Sequence, residues 1–280
     1  LETLLRLAKA ERPDGTGAVP DIFSLRRLDL FSYNEFLSFT HKPAGEQAVN
    51  EFLSRGAFPG LIKTGHTEAL HQLYTEILCK DAVIAGGIRD RNTLQRMALH
   101  LITNTGEPVT ANKLREKLKI KAVSTAAEHM QCIETAGLVR FVSILSDNPA
   151  RQAVNPRKVY AVDTALAAAV STAVTVDRNK LFETMLFNHL CRESRSVCYT
   201  NEQGGCDFIA SDAEGGVRCI QACYDDDPDL MQTKTDGLLW ALRQTGASRG
   251  TIVTADRNDR IDAENFEIEV IDADTFLGGY

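Results

Sequence analysis

Residues 205–227 read GCDFIASDAEGGVRCIQACYDDD, and the architecture of the C-terminal part of the chain turns on them. Apolar alternation on either side of a glycine-bearing turn predicts two β-strands, CDFIAS and VRCIQACY. Asp207 sits near the start of the first strand. On the second, Gln221 and Cys223 occupy places where a metal-dependent phosphodiester-cleaving centre would want an acid and a lysine. Such a centre needs hard oxygen ligands and net negative charge, because Mg²⁺ dehydrates reluctantly. Gln221 offers only a neutral amide oxygen. Cys223 offers a soft thiol, neutral with a pKa of about 8.5 and too short to replace an ammonium group.

Working outward, a helix DRNKLFETMLFNHLCRES and a strand SVCYT precede this pair. An amphipathic helix DLMQTKTDGLLWALRQTG follows it, then strands GTIVTAD and FEIEVID and a short terminal helix. The α-β-β-β-α-β order predicts helices packed on a mixed sheet, a restriction-endonuclease-like α/β layer over residues 173–280. DDDPD reads as a solvated turn before a helix N-cap, with Asp225 to Asp227 as spare carboxylates. Trp240, the only tryptophan, falls at helical spacing among leucines and is expected in the core.

Upstream, residues 71–172 predict a winged helix-turn-helix: three helices, then two strands, LVRFVSIL and RKVYAVD. Asn92, Thr110 and Ser124 are the expected N-terminal caps, and Gly137 the stop of the third helix. That helix should turn Ser124, Thr125, Glu128 and Gln131 outward and Ala127, Met130 and Ile133 inward. Just before it Lys113, Arg115, Lys117, Lys119 and Lys121 stand with one acid, Glu116. Phosphate contact beside a recognition helix is one account of this run. A solvated or protein-docking face is the other, since charge patterning alone is weak evidence. Double-stranded DNA and a protein are therefore the two candidate partners.

Residues 1–70 give helical patches around ERPDGTGAVPD, a Ser32/Glu35 capping box opening YNEFL, a helix stopped by Gly56, and a turn at Pro59-Gly60. The N-terminus, LETLLRLAKAERPDG, lacks Met, an apolar h-region and a cleavage site, so a piece of a longer chain without a signal peptide is expected. No P-loop sequence occurs, so no ATP ligand is expected in these 280 residues. No apolar run reaches membrane-spanning length, and a cytoplasmic protein is expected. The formal net charge is −7, unevenly spread: residues 173–280 hold 10 basic and 20 acidic residues, those before them 21 and 18. Nucleic acid is therefore better suited to the first part, the acidic third repelling phosphate unless metal intervenes. Seven cysteines without a CxxC pair, and six scattered histidines without HExxH spacing, predict reduced packing cysteines and ordinary histidines.

FSLRRLDLFSYNEFLSF, FLSRGAFPG, IRDRNTLQRMALHLITNTG, RKVYAVDTAL, LFETMLFNHLCR, CDFIASDAEGGVRCIQAC and GTIVTAD, in that order, carry a family resemblance. The chain resembles the C-terminal portion of a prokaryotic AAA-type ATPase family. There a nucleotide-binding domain is followed by a winged helix and a domain similar to the PD-(D/E)XK nuclease fold. The resemblance implies that residues 1–70 are the tail or lid of an ATPase domain plus linker helices, with ATP bound upstream. It also implies that Glu183 matches the helical acid and Asp207 the strand acid and metal ligand. Gln221 then stands in for the second acid and Cys223 for the lysine. The expectation is a recognition region whose nuclease-like centre is incomplete and vestigial. The alternative is a Mg²⁺-dependent DNA-cleaving enzyme using Glu183, Asp207, Gln221 and a relocated lysine, Lys234. A purely protein-docking scaffold is the third possibility.

Overall fold

The computed structural model describes residues 29–63, 67–85, 88, 90–146, 148, 155–171, 177–202, 204–225, 227–263 and 265–279. The stretch ERPDGTGAVPD, His66, part of GGIRDRN, and Asp226 of the acidic run lie outside them. Leu1–Leu30 and Phe31–Tyr280 are separate units, and all the helices and sheets described belong to the second.

The chain is mixed α+β. Helices α1 (Tyr33–Thr40), α2 (Glu46–Arg55), α3 (Pro59–Ile62) and α4 (Thr67–Glu76) come first, and Ile77–Ala85 continues α4 as a wider π-type helix. Ser32 caps α1 as its sequence predicts. Its hydroxyl accepts from the Glu35 N–H at 3.2 Å, and the Glu35 carboxylate accepts from the Ser32 N–H at 2.7 Å. Pro59-Gly60 forms the one-turn helix α3 and not only a turn, since proline at the first helical position needs no donor.

A small module follows: α5 (Arg91–Thr103), β1 (Pro108–Val109), α6 (Ala111–Leu118), α7 (Val123–Thr135), β2 (Val139–Val142) and β3 (Arg157–Ala161). Its three strands pair antiparallel in the order β1-β3-β2, so β3 is central. The α5 cap is Asp90, whose carboxylate accepts from the Thr93 N–H at 3.0 Å, and the helix starts before Asn92. Thr110 caps α6 as expected. Helix α7 starts at Val123 with Ala122 as an uncapped N-terminus, so Ser124 lies inside the first turn and is not the cap. Its inward stripe is Ala126, His129, Met130 and Ile133, and Ala127 is exposed. The i, i+3, i+4, i+7 spacing of that stripe explains the shift from the expected one.

The chain then runs through α8 (Thr164–Val170), α9 (Arg178–Glu193), β4 (Ser196–Thr200), β5 (Cys206–Ser211), β6 (Val217–Cys223), α10 (Pro228–Thr245), β7 (Arg249–Thr254), β8 (Asp259–Ala263), β9 (Phe266–Asp272) and α11 (Ala273–Gly278). Its six-stranded sheet has the order β4-β5-β6-β7-β9-β8, with β6-β7 and β7-β9 parallel and the other pairs antiparallel. Alternate residues serve opposite faces. Phe208, Ala210, Ile220 and Ala222 join α9 in the larger core, while Ile209 and Cys219 join Leu238 and Leu242 of α10 in the smaller one. Trp240 packs half-buried against the smaller core. The seven cysteines are free thiols, four of them in or against that same core.

Two features tie the three-stranded module to the six-stranded sheet. The larger core is continuous from Tyr33 of α1 to Leu277 of α11. Past the end of β2, Ile144 bridges to Tyr199 of β4, with the Leu145 N–H donating to the Tyr199 carbonyl at 2.7 Å. Asp163 makes a different link, from the start of α8 to the turn between α2 and α3: it caps α8 and accepts from the Ala57 N–H at 2.6 Å. Burial raises its pKa to about 6, despite the N–H groups of Ala57, Leu166 and Ala165 pulling the other way.

Candidate functional site

Glu183 from α9, Asp207 from β5, Gln221 from β6 and Lys234 from α10 are predicted far apart in sequence, and the fold gathers them at one buried point. Glu183 and Asp207 are each 7% exposed and Gln221 is 0% exposed. The Lys234 ammonium donates to Asp207 Oδ2 at 2.5 Å. Gln221 spends its whole amide on positioning. Its Oε1 accepts from the Asp207 N–H at 3.1 Å, and its Nε2 donates to the carbonyls of Gly205 at 2.7 Å and Lys234 at 3.0 Å. The Ala222 N–H donates to Asp207 Oδ2 at 3.1 Å. The Cys223 thiol points its hydrogen bond away from this centre, to the Asp225 carbonyl at 3.5 Å.

Two more residues enter from β3. Lys158 donates to Glu183 Oε1 at 2.8 Å and to Asp207 Oδ1 at 3.1 Å, bridging the two carboxylates. Tyr160, two residues on and so on the same strand face, donates to Glu183 Oε1 at 2.6 Å. Its ring stacks on Phe187 at 4.2 Å, and the Lys158 ammonium lies 5.5 Å from the Tyr199 ring. Sequence reasoning missed both residues by treating RKVYAVD only as a wing strand. The available signal was a lysine and a tyrosine sharing one face of the strand RKVYA.

The electrostatics follow from burial and pairing. Burial would raise Asp207, but Lys234 and then Lys158 hold it well below the ordinary carboxylate range. Burial would lower the Lys158 ammonium, but Asp207 and then Glu183 raise it above its ordinary range, and Lys234 follows the same balance. Burial, then Glu183 and Asp207, keep the Tyr160 phenol protonated far above its usual range. Because Asp207 is depressed in the fold, its stabilising contribution is present above about pH 4 and lost as pH falls further. The melting temperature of the wild type should therefore fall more steeply than that of Asp207→Asn between pH 5 and pH 3 (roughly the window of carboxylate titration). Parallel curves would remove this assignment.

These residues do not fit a divalent cation as arranged. Two carboxylates face two ammonium groups, leaving the centre formally neutral, and the neutral side-chain oxygens, Gln221 Oε1 and the Tyr160 phenol, are already engaged. Among the described residues, no group of three or more His, Cys, Asp or Glu side chains gathers as a ligand set. Asp225 is turned to Asn179, and Asp227 caps α10.

The second candidate surface lies on α6 and α7. Lys113, Lys117, Lys119, Lys121, Ser124 and Gln131 are exposed. Arg115 is half-buried and paired with Glu116 at 3.0 Å, and Thr125 is half-buried. Glu128 shares the exposed face.

Residues 46–177 match a family model described as a domain of unknown function (DUF8612). The match runs from the start of α2 to Asp177, the cap of α9. It therefore contains Lys158, Tyr160 and the cationic run, but none of Glu183, Asp207, Gln221 and Lys234. No curated protein and no solved structure matches the chain. Among the described residues no helix is long and apolar enough to cross a membrane.

Proposed function

We propose that the chain is a recognition region that binds duplex DNA through α6 and α7, attached to a nuclease-like domain whose centre is an ion-paired core without metal chemistry. The observation that carries the DNA reading is the exposed run Lys113, Lys117, Lys119 and Lys121 bordering Ser124 and Gln131. The helix-strand-helix-helix-strand-strand order of α5 to β3 supports a winged helix, and the α9 to β9 order supports a nuclease-like sheet. In this reading the lysines hold phosphates, and Ser124 and Gln131 face base edges. The family resemblance supports action beside an AAA-type ATPase domain that supplies ATP turnover.

A labelled duplex titrated at two salt concentrations tests the reading. The variant Lys113→Gln/Lys117→Gln/Lys119→Gln/Lys121→Gln should weaken binding at low salt by about tenfold or more. It should also flatten the salt dependence, since each phosphate contact contributes a slope of about 0.9. Absence of duplex binding by the wild type refutes the DNA reading and leaves a protein-docking role.

A second reading, a Mg²⁺-dependent nuclease using Glu183, Asp207, Gln221 and Lys234, is favoured by one observation: Lys234 reaches Asp207 from the following helix. Adding Mg²⁺ or Mn²⁺ to the same duplex decides between the two. Cleavage abolished in Asp207→Ala selects the second, and binding without cleavage selects the first.

A further inference from the structure

We infer that Lys158 is a built-in counter-cation that keeps the Glu183–Asp207 pair closed to a divalent ion, an autoinhibitory contact delivered by the three-stranded module. The inference rests on the closed-centre half of the reading above and not on DNA binding. Its basis is position. The Lys158 ammonium lies 2.8 Å from one carboxylate and 3.1 Å from the other, where a cation shared by both would sit. Lys234 reaches only Asp207, so Lys158 alone bridges the pair.

The arm that carries Lys158 is stiff. Lys158 lies on the central strand of its sheet, opposite Pro108 of β1 and Val142 of β2. Tyr160 provides a second hold on Glu183 from the same strand face. With both side chains in place beside Lys234 and the Ala222 N–H, the two carboxylates have four donors and no net charge left to attract a metal ion. Removing the Lys158 charge leaves the centre one unit negative and frees Asp207 Oδ1, while Tyr160 keeps its hydrogen bond to Glu183 Oε1. The cation and the acids also come from different parts of the chain: β3 lies within the segment that matches the family model, and α9 and β5 lie after it. Displacement of β3 would thus withdraw the ammonium while leaving both acids on their own elements.

Mn²⁺ binding to the full 280-residue chain tests this without DNA, read by electron paramagnetic resonance and by the Mn²⁺ dependence of the melting temperature. Wild type and Lys158→Arg should show no site sensitive to Asp207→Asn. Lys158→Met should bind Mn²⁺ and gain melting temperature with it, and Lys158→Met/Asp207→Asn should lose at least about tenfold of that affinity, as expected when a charged ligand is removed. Lys158→Gln, which keeps donors without charge, should behave like Lys158→Met and serves if the latter does not fold. Refolding of either variant by Mn²⁺ supports the inference, since a ligand bound only by the native state stabilises it. The inference is overturned by Asp207-dependent Mn²⁺ binding in the wild type. It is equally overturned if neither neutral variant binds or is rescued by Mn²⁺. Duplex binding by the wild type, measured without metal, stands or falls separately.

Discussion

Asp207→Ala is expected to lower the melting temperature by roughly 6–20 °C. Breaking a buried ion pair by removing one partner costs about 3–5 kcal/mol, and each kcal/mol is worth about 2–4 °C in a domain of this size. The cost has a specific origin. Lys158 keeps Glu183, but Lys234, whose side chain is only 18% exposed, loses the one carboxylate it donates to. The Ala222 N–H loses its acceptor as well. A circular-dichroism melt checks the prediction. A change under about 2 °C, the shift worth less than one kcal/mol, would mean that water reaches the ammonium groups and that the centre is open.

Gly237→Ala should destabilise the protein severely, against the sign that helix propensity gives. In an exposed helix interior, glycine to alanine gains about 1 kcal/mol. At Gly237 an added Cβ would stand 2.0 Å from the Gly205 carbonyl oxygen and 3.0 Å from Gln221 Nε2. Gly205 has little room to yield: its own φ is +76°, and a Cβ there would meet the Thr200 carbonyl at 2.7 Å. Helix α10 must therefore lift from β5, taking Lys234 with it and breaking the Gln221 contacts. An overpacking cost of about 3 kcal/mol or more outweighs the propensity gain. The comparison is Gly246, the left-handed cap of α10, where nothing lies within 4 Å and only the backbone strain of φ +72° is felt. Gly246→Ala should cost about 1 kcal/mol. Equal melting temperatures for the two variants would contradict the close approach of α10 to β5.

Much of the α+β architecture was legible because its signals are local. Apolar alternation marked β4 to β7 and β9, and Ser32, Thr110 and Gly56 marked helix ends through capping chemistry. β1 and β8 were not legible. β1 is two residues long and begins with proline, and β8, DRIDA, carries no apolar periodicity and is formed by its place beside β9. The convergence of Glu183, Asp207, Gln221 and Lys234 was anticipated only as a pattern of residues. What they do there depended on long-range packing. Lys158 and Tyr160 reach the centre from 25 and 23 residues before Glu183, through a sheet docking that no local window contains. Gln221 illustrates the same limit: its position marked it as a substitute ligand, whereas its hydrogen bonds make it a brace.

The six-stranded sheet ends differently on its two sides, and the difference bears on how copies of the chain coexist at high concentration. Along β4, the Leu145 N–H and the Ser143 carbonyl are engaged by Tyr199, so part of that margin is already covered by the chain's own backbone. Along β8 the margin is guarded by charge: Asp259, Arg260 and Asp262 project from a five-residue strand, with Arg260 bound to Glu267 of β9. A neighbouring molecule that tried to add a strand there would have to desolvate those charges for a short run of amide pairing. A sheet closed in these two ways resists runaway self-association.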